Sequence, residues 1–177
     1  MTEKKLVDRH QQGARAKAQG AAFEARISSS LEWYALAGLA SIEKTPEPMK
    51  ILGSLGKGQF KCCFLKKAQP DFEGTANGGR SWMFEAKYTS GDRLEQSRVL
   101  PSQSEYLDRH DALGAKCYVI AGFSTGNVYR VPWRVWRDMK ERFGRKYVRE
   151  SDLEIYRVEQ SESGRLKLLK KGAYELS

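Results

Sequence analysis

The chain has 177 residues, enough for one domain with a substantial core and too few for two comfortable ones. It is 40% hydrophobic and 30% charged, with a mean hydropathy of -0.63, and no apolar run approaches the roughly 20 residues of a membrane span. Thirty-one Lys and Arg against 22 Asp and Glu leave a net charge of +9, which suits a polyanionic partner such as nucleic acid.

Residues 1–13 read as a flexible basic arm, and 14–177 as a single domain. The first 20 residues are polar and basic without an apolar centre, unlike a secretory signal. From Ala14 on, Phe23, Ile27, Leu31 and Tyr34 recur at helical spacing, which predicts an amphipathic helix ending near Gly38, with Glu24 beside the apolar stripe. Residues 42–44 form a short strand candidate stopped by Pro46 and Pro48. Two β-like runs, 49–55 and 59–65, flank Gly56-Lys57-Gly58 and predict a hairpin. Five lysines (Lys50, Lys57, Lys61, Lys66 and Lys67) and no acid lie between Lys50 and Pro70.

Strands are predicted around Asp71 and through 82–87, with Gly74, Asn77, Gly78 and Gly79 as turn formers between them. Residues 89–99 read as loop. Pro101 then opens a helix in which Ser102 and Glu105 have capping-box spacing, continued by Tyr106, Leu107, His110 and Leu113. A buried strand at 116–123, a turn at 124–127 and an antiparallel neighbour at 128–131 follow. Pro132 starts a helix with Trp133, Trp136, Met139 and Phe143 on one stripe, ended by Gly144. Residues 132–150 carry seven Lys or Arg against three acids, and from Ser151 on the tail reads as strands joined around Ser163-Gly164. This order argues a mixed α/β domain with a central sheet flanked by helices.

The chemistry concentrates in Gln69-Pro70-Asp71-Phe72-Glu73-Gly74 and Trp82-Met83-Phe84-Glu85-Ala86-Lys87. Strand alternation puts Glu85 and Lys87 on one face and Ala86 on the other, and a turn brings Asp71 beside them. Two acids and a lysine make a divalent-metal site with a positioning cation, the minimum for cutting a phosphodiester. The main-chain carbonyl of Ala86 adds a neutral oxygen. Lys87 either orients the attacking water or stabilises developing charge. Gln103, in the first turn of its helix, contacts the metal-bound water or scissile phosphate, or is an exposed helix-start residue. Glu24 is a further carboxylate near the metal or a solvated helix residue. His10 and His110 read as incidental, and Trp133 and Trp136 as core. Cys62, Cys63 and Cys117 form no disulfide framework and no zinc-knuckle spacing, which points to the cytoplasm.

These residues, in order, resemble the RecU-type Holliday junction resolvases of the PD-(D/E)xK nuclease superfamily. The likeness runs through Phe23-Glu24, Trp33-Tyr34, Lys44-Thr45-Pro46-Glu47-Pro48, Asp71-Phe72-x-Gly74 and Phe84-Glu85-Ala86-Lys87. It continues through Gln103, Cys117-Tyr118-Val119-Ile120 and Gly144-Arg145-Lys146-Tyr147-Val148-Arg149. The resemblance implies a restriction-endonuclease-like core and a homodimeric endonuclease, dependent on Mg²⁺ or Mn²⁺, that nicks four-way junctions symmetrically. Asp71 and Glu85 are then metal ligands, Lys87 is catalytic, Gln103 belongs to the site, and Glu24 matches the first-helix acid. The family's protruding β stalk corresponds to residues 49–69, so Lys57, Lys61, Lys66 and Lys67 become DNA contacts, as do Arg15 and Lys17 on the first helix.

Two departures stand out. Pro70 replaces a hydroxyl residue before the Asp, and Ser102 replaces a His before Gln103. The short stalk interval fits a compact phage or prophage variant. Alternatives are a nuclease of the same fold acting on flapped, other branched or duplex DNA, and a junction-binding recombination protein that does not cut.

Overall fold

A computed structural model describes residues 3–65 and 69–169. The chain opens with one long helix, α1 (Glu3–Leu36), in which Phe23, Ile27, Leu31 and Tyr34 are buried along one side. It ends where Gly38 takes a left-handed φ of 66°, a conformation that suits glycine. The expected basic arm is thus helical from Glu3. No proline interrupts residues 3–36, and Gly13 and Gly20 are tolerated within the helix. A helix nucleated by its packed half then propagates at one hydrogen bond per residue.

After β1 (Ala40–Lys44), β2 (Met49–Gly56) and β3 (Gln59–Phe64) form a separate two-stranded hairpin. Its tip, Gly56-Lys57-Gly58, holds three consecutive positive φ values of 82°, 51° and 75°. Every residue of β2 is exposed. Eight residues at strand rise reach roughly 27 Å, so the hairpin is a projecting element. Its exposed side chains include Met49, Ile51, Leu52, Leu55 and Phe60, an apolar content that a reading by charge overlooks.

β4 (Phe72–Ala76) and β5 (Arg80–Thr89) pair antiparallel around a turn at Gly78 and Gly79, whose φ values are 86° and 72°. Gly74 is not in that turn. It lies mid-strand opposite Ile42 of β1, where a β-carbon would sit 2.0 Å from the Ser41 carbonyl oxygen. The expected loop at 89–99 contains β6 (Leu94–Glu95) and a 3-10 turn at Gln96–Arg98; a two-residue strand carries no readable periodicity.

α2 (Pro101–Ala112) opens at Pro101 as expected, but with a different cap. Leu100 is the N-cap, and its N–H donates to Gln103 Oε1 at 3.0 Å, in place of a Ser102–Glu105 box. β7 (Lys116–Phe123) and β8 (Val128–Pro132) match the reading. The helix after Pro132 breaks at Asp138 into α3 (Trp133–Arg137) and α4 (Met139–Phe143), and Gly144 ends it with a φ of 69°. β9 (Tyr147–Val148) pairs with β6.

The tail expected as strands begins instead with α5 (Glu150–Leu153) and a 3-10 turn at Glu154–Tyr156. Asp152 accepts from the Arg149 N–H at 2.8 Å and pairs with Arg145 at 2.6 Å, which favours a helical turn. Among the described residues of the tail, the β pairing consists of two isolated bridges, Arg157 with Tyr129 and Gln160 with Leu166 around Gly164.

The five-stranded sheet has the order β1-β4-β5-β7-β8, with β5 and β7 parallel and the other pairs antiparallel. On one face α1 packs Phe23 and Ile27 against Phe72, Phe84, Tyr118 and Ile120. On the other, Leu107 of α2 and Trp133, Trp136 and Met139 cover Met83, Val119 and Val131. Each fully buried side chain of this size contributes about 2 kcal/mol, which fixes the sheet between two helical layers and holds β5 rigid. Trp133 and Trp136 are core, as expected. No helix among the described residues is long and apolar enough to cross a membrane.

Candidate active site

β4 begins at Phe72, opposite Phe84. The next pair along, Asp71 and Glu85, therefore lies where the two strands part. The Ala86 N–H, left without a ladder partner from β4, donates to Asp71 Oδ2 at 3.0 Å. N–H and C=O of one strand residue point to the same edge, so the Ala86 carbonyl opens toward Asp71 as well. On the far side, the Thr45 N–H donates to the Asp71 carbonyl at 2.9 Å, pinning that residue to the end of β1.

Glu85 and Lys87 project from the same face of β5 as Met83, toward α2, while Phe84 and Ala86 face α1. Glu85 is 0% exposed. Its Oε1 accepts from Gln103 Nε2 at 2.9 Å and from Lys87 Nζ. Its Oε2 is buried with no hydrogen-bond partner, as is Thr45 Oγ1. Burial pushes the Glu85 carboxyl up to about 7; the Lys87 ammonium opposes that rise, and the neighbouring Asp71 carboxylate adds to it.

Asp71, Glu85, Lys87 and Gln103 thus converge. Gln103 is buried rather than an exposed helix-start residue, and its two amide atoms do different work: Oε1 caps α2 and Nε2 holds Glu85. Glu24, on α1, is paired with Lys44 at 2.8 Å. Glu24 is the largest cause holding the Lys44 ammonium above its ordinary range, and Asp71 and Glu47 add to it, so Lys44 links the first-helix acid electrostatically to Asp71. His110 stacks on Tyr106 at 4.4 Å and serves packing.

The donor set fits a hard divalent cation. Among the described residues no three or more His, Cys, Asp or Glu gather at one place. Two carboxylates and a carbonyl leave most of a coordination shell to water, as Mg²⁺ prefers. The unpartnered Glu85 Oε2 is an oxygen whose burial makes sense beside a cation and is otherwise costly.

Of the basic residues expected to touch DNA, Arg15 and Lys17 are exposed on α1, Lys57 occupies the hairpin tip and Lys61 is exposed on β3. Lys66 and Lys67 lie outside the described residues. A further basic cluster emerges only in three dimensions: Arg93, Arg145 and Arg149 surround the Tyr147 ring at 4.8, 4.9 and 5.6 Å. Arg98, in the turn after β6, donates to the Tyr88 carbonyl, next along β5 from Lys87, at 3.2 Å. The signal available in sequence was the excess of Lys and Arg over 132–150.

No curated protein matches the chain. A solved structure of Hjc from Archaeoglobus fulgidus, a Holliday junction resolvase from an archaeal hyperthermophile, is similar at 19% identity, covering 82% of this chain and 95% of that one, with a TM-score of 0.47. The family model described as recombination protein U, RecU, matches residues 18–171, a span that takes in every residue of the converging cluster. On that match the chain belongs to the RecU family of Holliday junction resolvases.

Proposed function

We propose that this chain nicks four-way DNA junctions in symmetric pairs, one cut from each protomer of a homodimer, with Mg²⁺, or Mn²⁺ in its place, held by Asp71, Glu85 and the Ala86 carbonyl. Resolvases of this kind are metal-dependent nucleases that bind branched DNA. The observation that carries the residue assignment is the buried, unpartnered Glu85 Oε2 beside Asp71, Lys87 and Gln103.

The residues divide the work by position. Gln103 and Lys87 both occupy Oε1 of Glu85, which leaves Oε2 as the oxygen that would hold the cation. The Ala86 N–H orients the Asp71 carboxylate. When bound, the metal would supply Lewis-acid polarisation of the phosphate and an acidified water. Lys87, with a side chain 15% exposed, presents its ammonium at the boundary between the buried acid and solvent, where it meets the scissile phosphate and its developing charge. Two-fold symmetry is the usual way to supply two matched cuts. The free cysteines suit a reducing cytoplasm.

The test is cleavage of a synthetic four-way junction beside linear duplex and flap controls, with Mg²⁺, for wild type and Asp71→Asn. Wild type is expected to cut the junction in preference, and Asp71→Asn to bind it without cutting. Absence of wild-type junction cleavage under any divalent metal, or equal cleavage of linear duplex, would overturn the proposal.

The hairpin lysines and the arginines around Tyr147 supply the positive surface for the arms. Lys57→Ala with Lys61→Ala is expected to weaken junction binding and flatten its dependence on salt, by roughly one unit of slope for each phosphate no longer neutralised. Titrations at several salt concentrations check this, and an unchanged slope means the hairpin does not touch phosphate.

A further inference from the structure

A cavity of about 840 Å³ opens near the start of β5, at the opposite end from the candidate active site. Five residues of strand separate Arg80, on its rim, from Glu85, roughly 17 Å. Its floor is apolar, built from Leu39, Ala76 and Leu169 with the edges of Trp33 and Trp82. Leu39 and Trp33 remain 39% and 40% exposed there. Its rim carries Arg80, Lys116, Arg165 and Lys167, and no Asp or Glu is among its described lining residues.

Two of these cations are already engaged. Lys167 pairs with Glu159 at 3.2 Å, and the Arg165 guanidinium lies 3.6 Å from the centre of the Trp33 ring. Arg80 and Lys116 have no side-chain partner among the described residues. Lys116 is in register with Trp82 in the parallel β5–β7 pair, and Arg80 precedes Trp82 by two residues, so both project on the cavity's face.

We propose that this cavity docks an acidic peptide of a partner protein, carboxylates on Arg80 and Lys116 and a large apolar side chain on Leu39 and Leu169. The charge is complementary, and the recessed apolar floor gives the peptide an anchor that a duplex backbone cannot use. The ring faces argue against stacked bases. Arg165 covers Trp33, while Trp82 is 9% exposed, stacked on Tyr118 at 5.3 Å and overlain by Arg130 at 5.3 Å. A second copy of this chain is the competing occupant, which the oligomeric state of the cavity variants distinguishes.

The probe is a fluorescein-labelled peptide of four aspartates followed by leucine and phenylalanine, titrated by anisotropy against the full chain at low salt. Wild type is expected to bind it. Arg80→Gln with Lys116→Gln is expected to weaken binding on the order of tenfold, as is a peptide with serine for leucine and phenylalanine. Junction cleavage, read separately, is expected to be unchanged in the double variant, so failure of the nuclease assignment and failure of this one give different results. A melting temperature equal to wild type shows that the double variant is folded; Leu39→Ser serves if it is not. The proposal is overturned if wild type does not bind the peptide or if neither variant weakens it. It is also overturned if the double variant loses junction binding to the same degree, which makes the rim a DNA contact, or if the cavity variants change the oligomeric state, which makes it a self-interface.

Discussion

Glu85→Gln is expected to abolish junction nicking, a loss on the order of a thousandfold or more, while leaving the metal-free chain at least as stable as wild type at neutral pH. The rate loss follows from removing one of two carboxylates that hold the cation, whose charge stabilisation is worth several kcal/mol. The stability follows from burial. Glu85 is 0% exposed, and its carboxyl is pushed up to about 7 from an ordinary 4.5. Between those values the native state holds a proton that the unfolded chain has released. Stability contributed at low pH is therefore lost as pH rises through that window, to a ceiling of ~3 kcal/mol. Gln at this position has no charge to bury, and its amide oxygen can still accept from Gln103 Nε2.

Lys87 loses its counter-charge in that variant, but it already reaches solvent and can be hydrated there. Urea unfolding at pH 5 and pH 7.5 in EDTA is expected to show a falling midpoint with pH for wild type and a flatter response for Glu85→Gln. Added Mn²⁺ or Mg²⁺ should raise the wild-type midpoint by mass action and leave the variant unmoved. A variant destabilised equally at both pH values would make Glu85 a structural acid, and metal stabilisation of that variant would place the cation elsewhere.

The site was legible where chemistry and local geometry coincide. Glu85 and Lys87 share a face because a strand alternates, and Asp71 comes beside Glu85 because a short turn allows one register. Gln103 was visible as a position, but its burial was not, since that depends on α2 packing across β5. Contacts remote in sequence were the ones missed. Leu94 pairs with Val148, and Glu24 pairs with Lys44. Nothing within either local window encodes its partner.

The long α1 shows the reverse case. A polar, basic stretch with no apolar stripe reads as an arm, yet contains residues that extend a helix already anchored downstream. The hairpin was legible as a hairpin, and its charge drew attention away from the exposed Met49, Ile51 and Phe60.

Gly74→Ala is expected to damage the fold more than any other single glycine-to-alanine change here, although Gly74 lies in an ordinary strand conformation. The added carbon would meet the Ser41 carbonyl oxygen at 2.0 Å and the Ile42 Cα at 2.5 Å. Both are backbone atoms of β1, and backbone cannot rotate aside. The β1–β4 pair must separate or slip, and a slip of one residue turns Ile42 out of the core. The cost is expected to exceed the ~1–3 kcal/mol of ordinary overpacking.

Gly122→Ala supplies the comparison. Its added carbon meets the Phe23 ring at 2.6 Å, a side-chain end that can tilt, so a smaller loss is expected. Gly53→Ala, on the hairpin in open space, is expected to be nearly neutral. Urea midpoints of the three variants test the ranking, and Gly74→Ala within about 0.5 kcal/mol of wild type would show that β1 has room to move. The consequence reaches the candidate site, because β1 leads into Thr45, whose N–H holds the Asp71 carbonyl at 2.9 Å. The glycine three residues after Asp71 thus acts through close strand approach: it lets β1 lie against β4 and so sets where the first carboxylate stands.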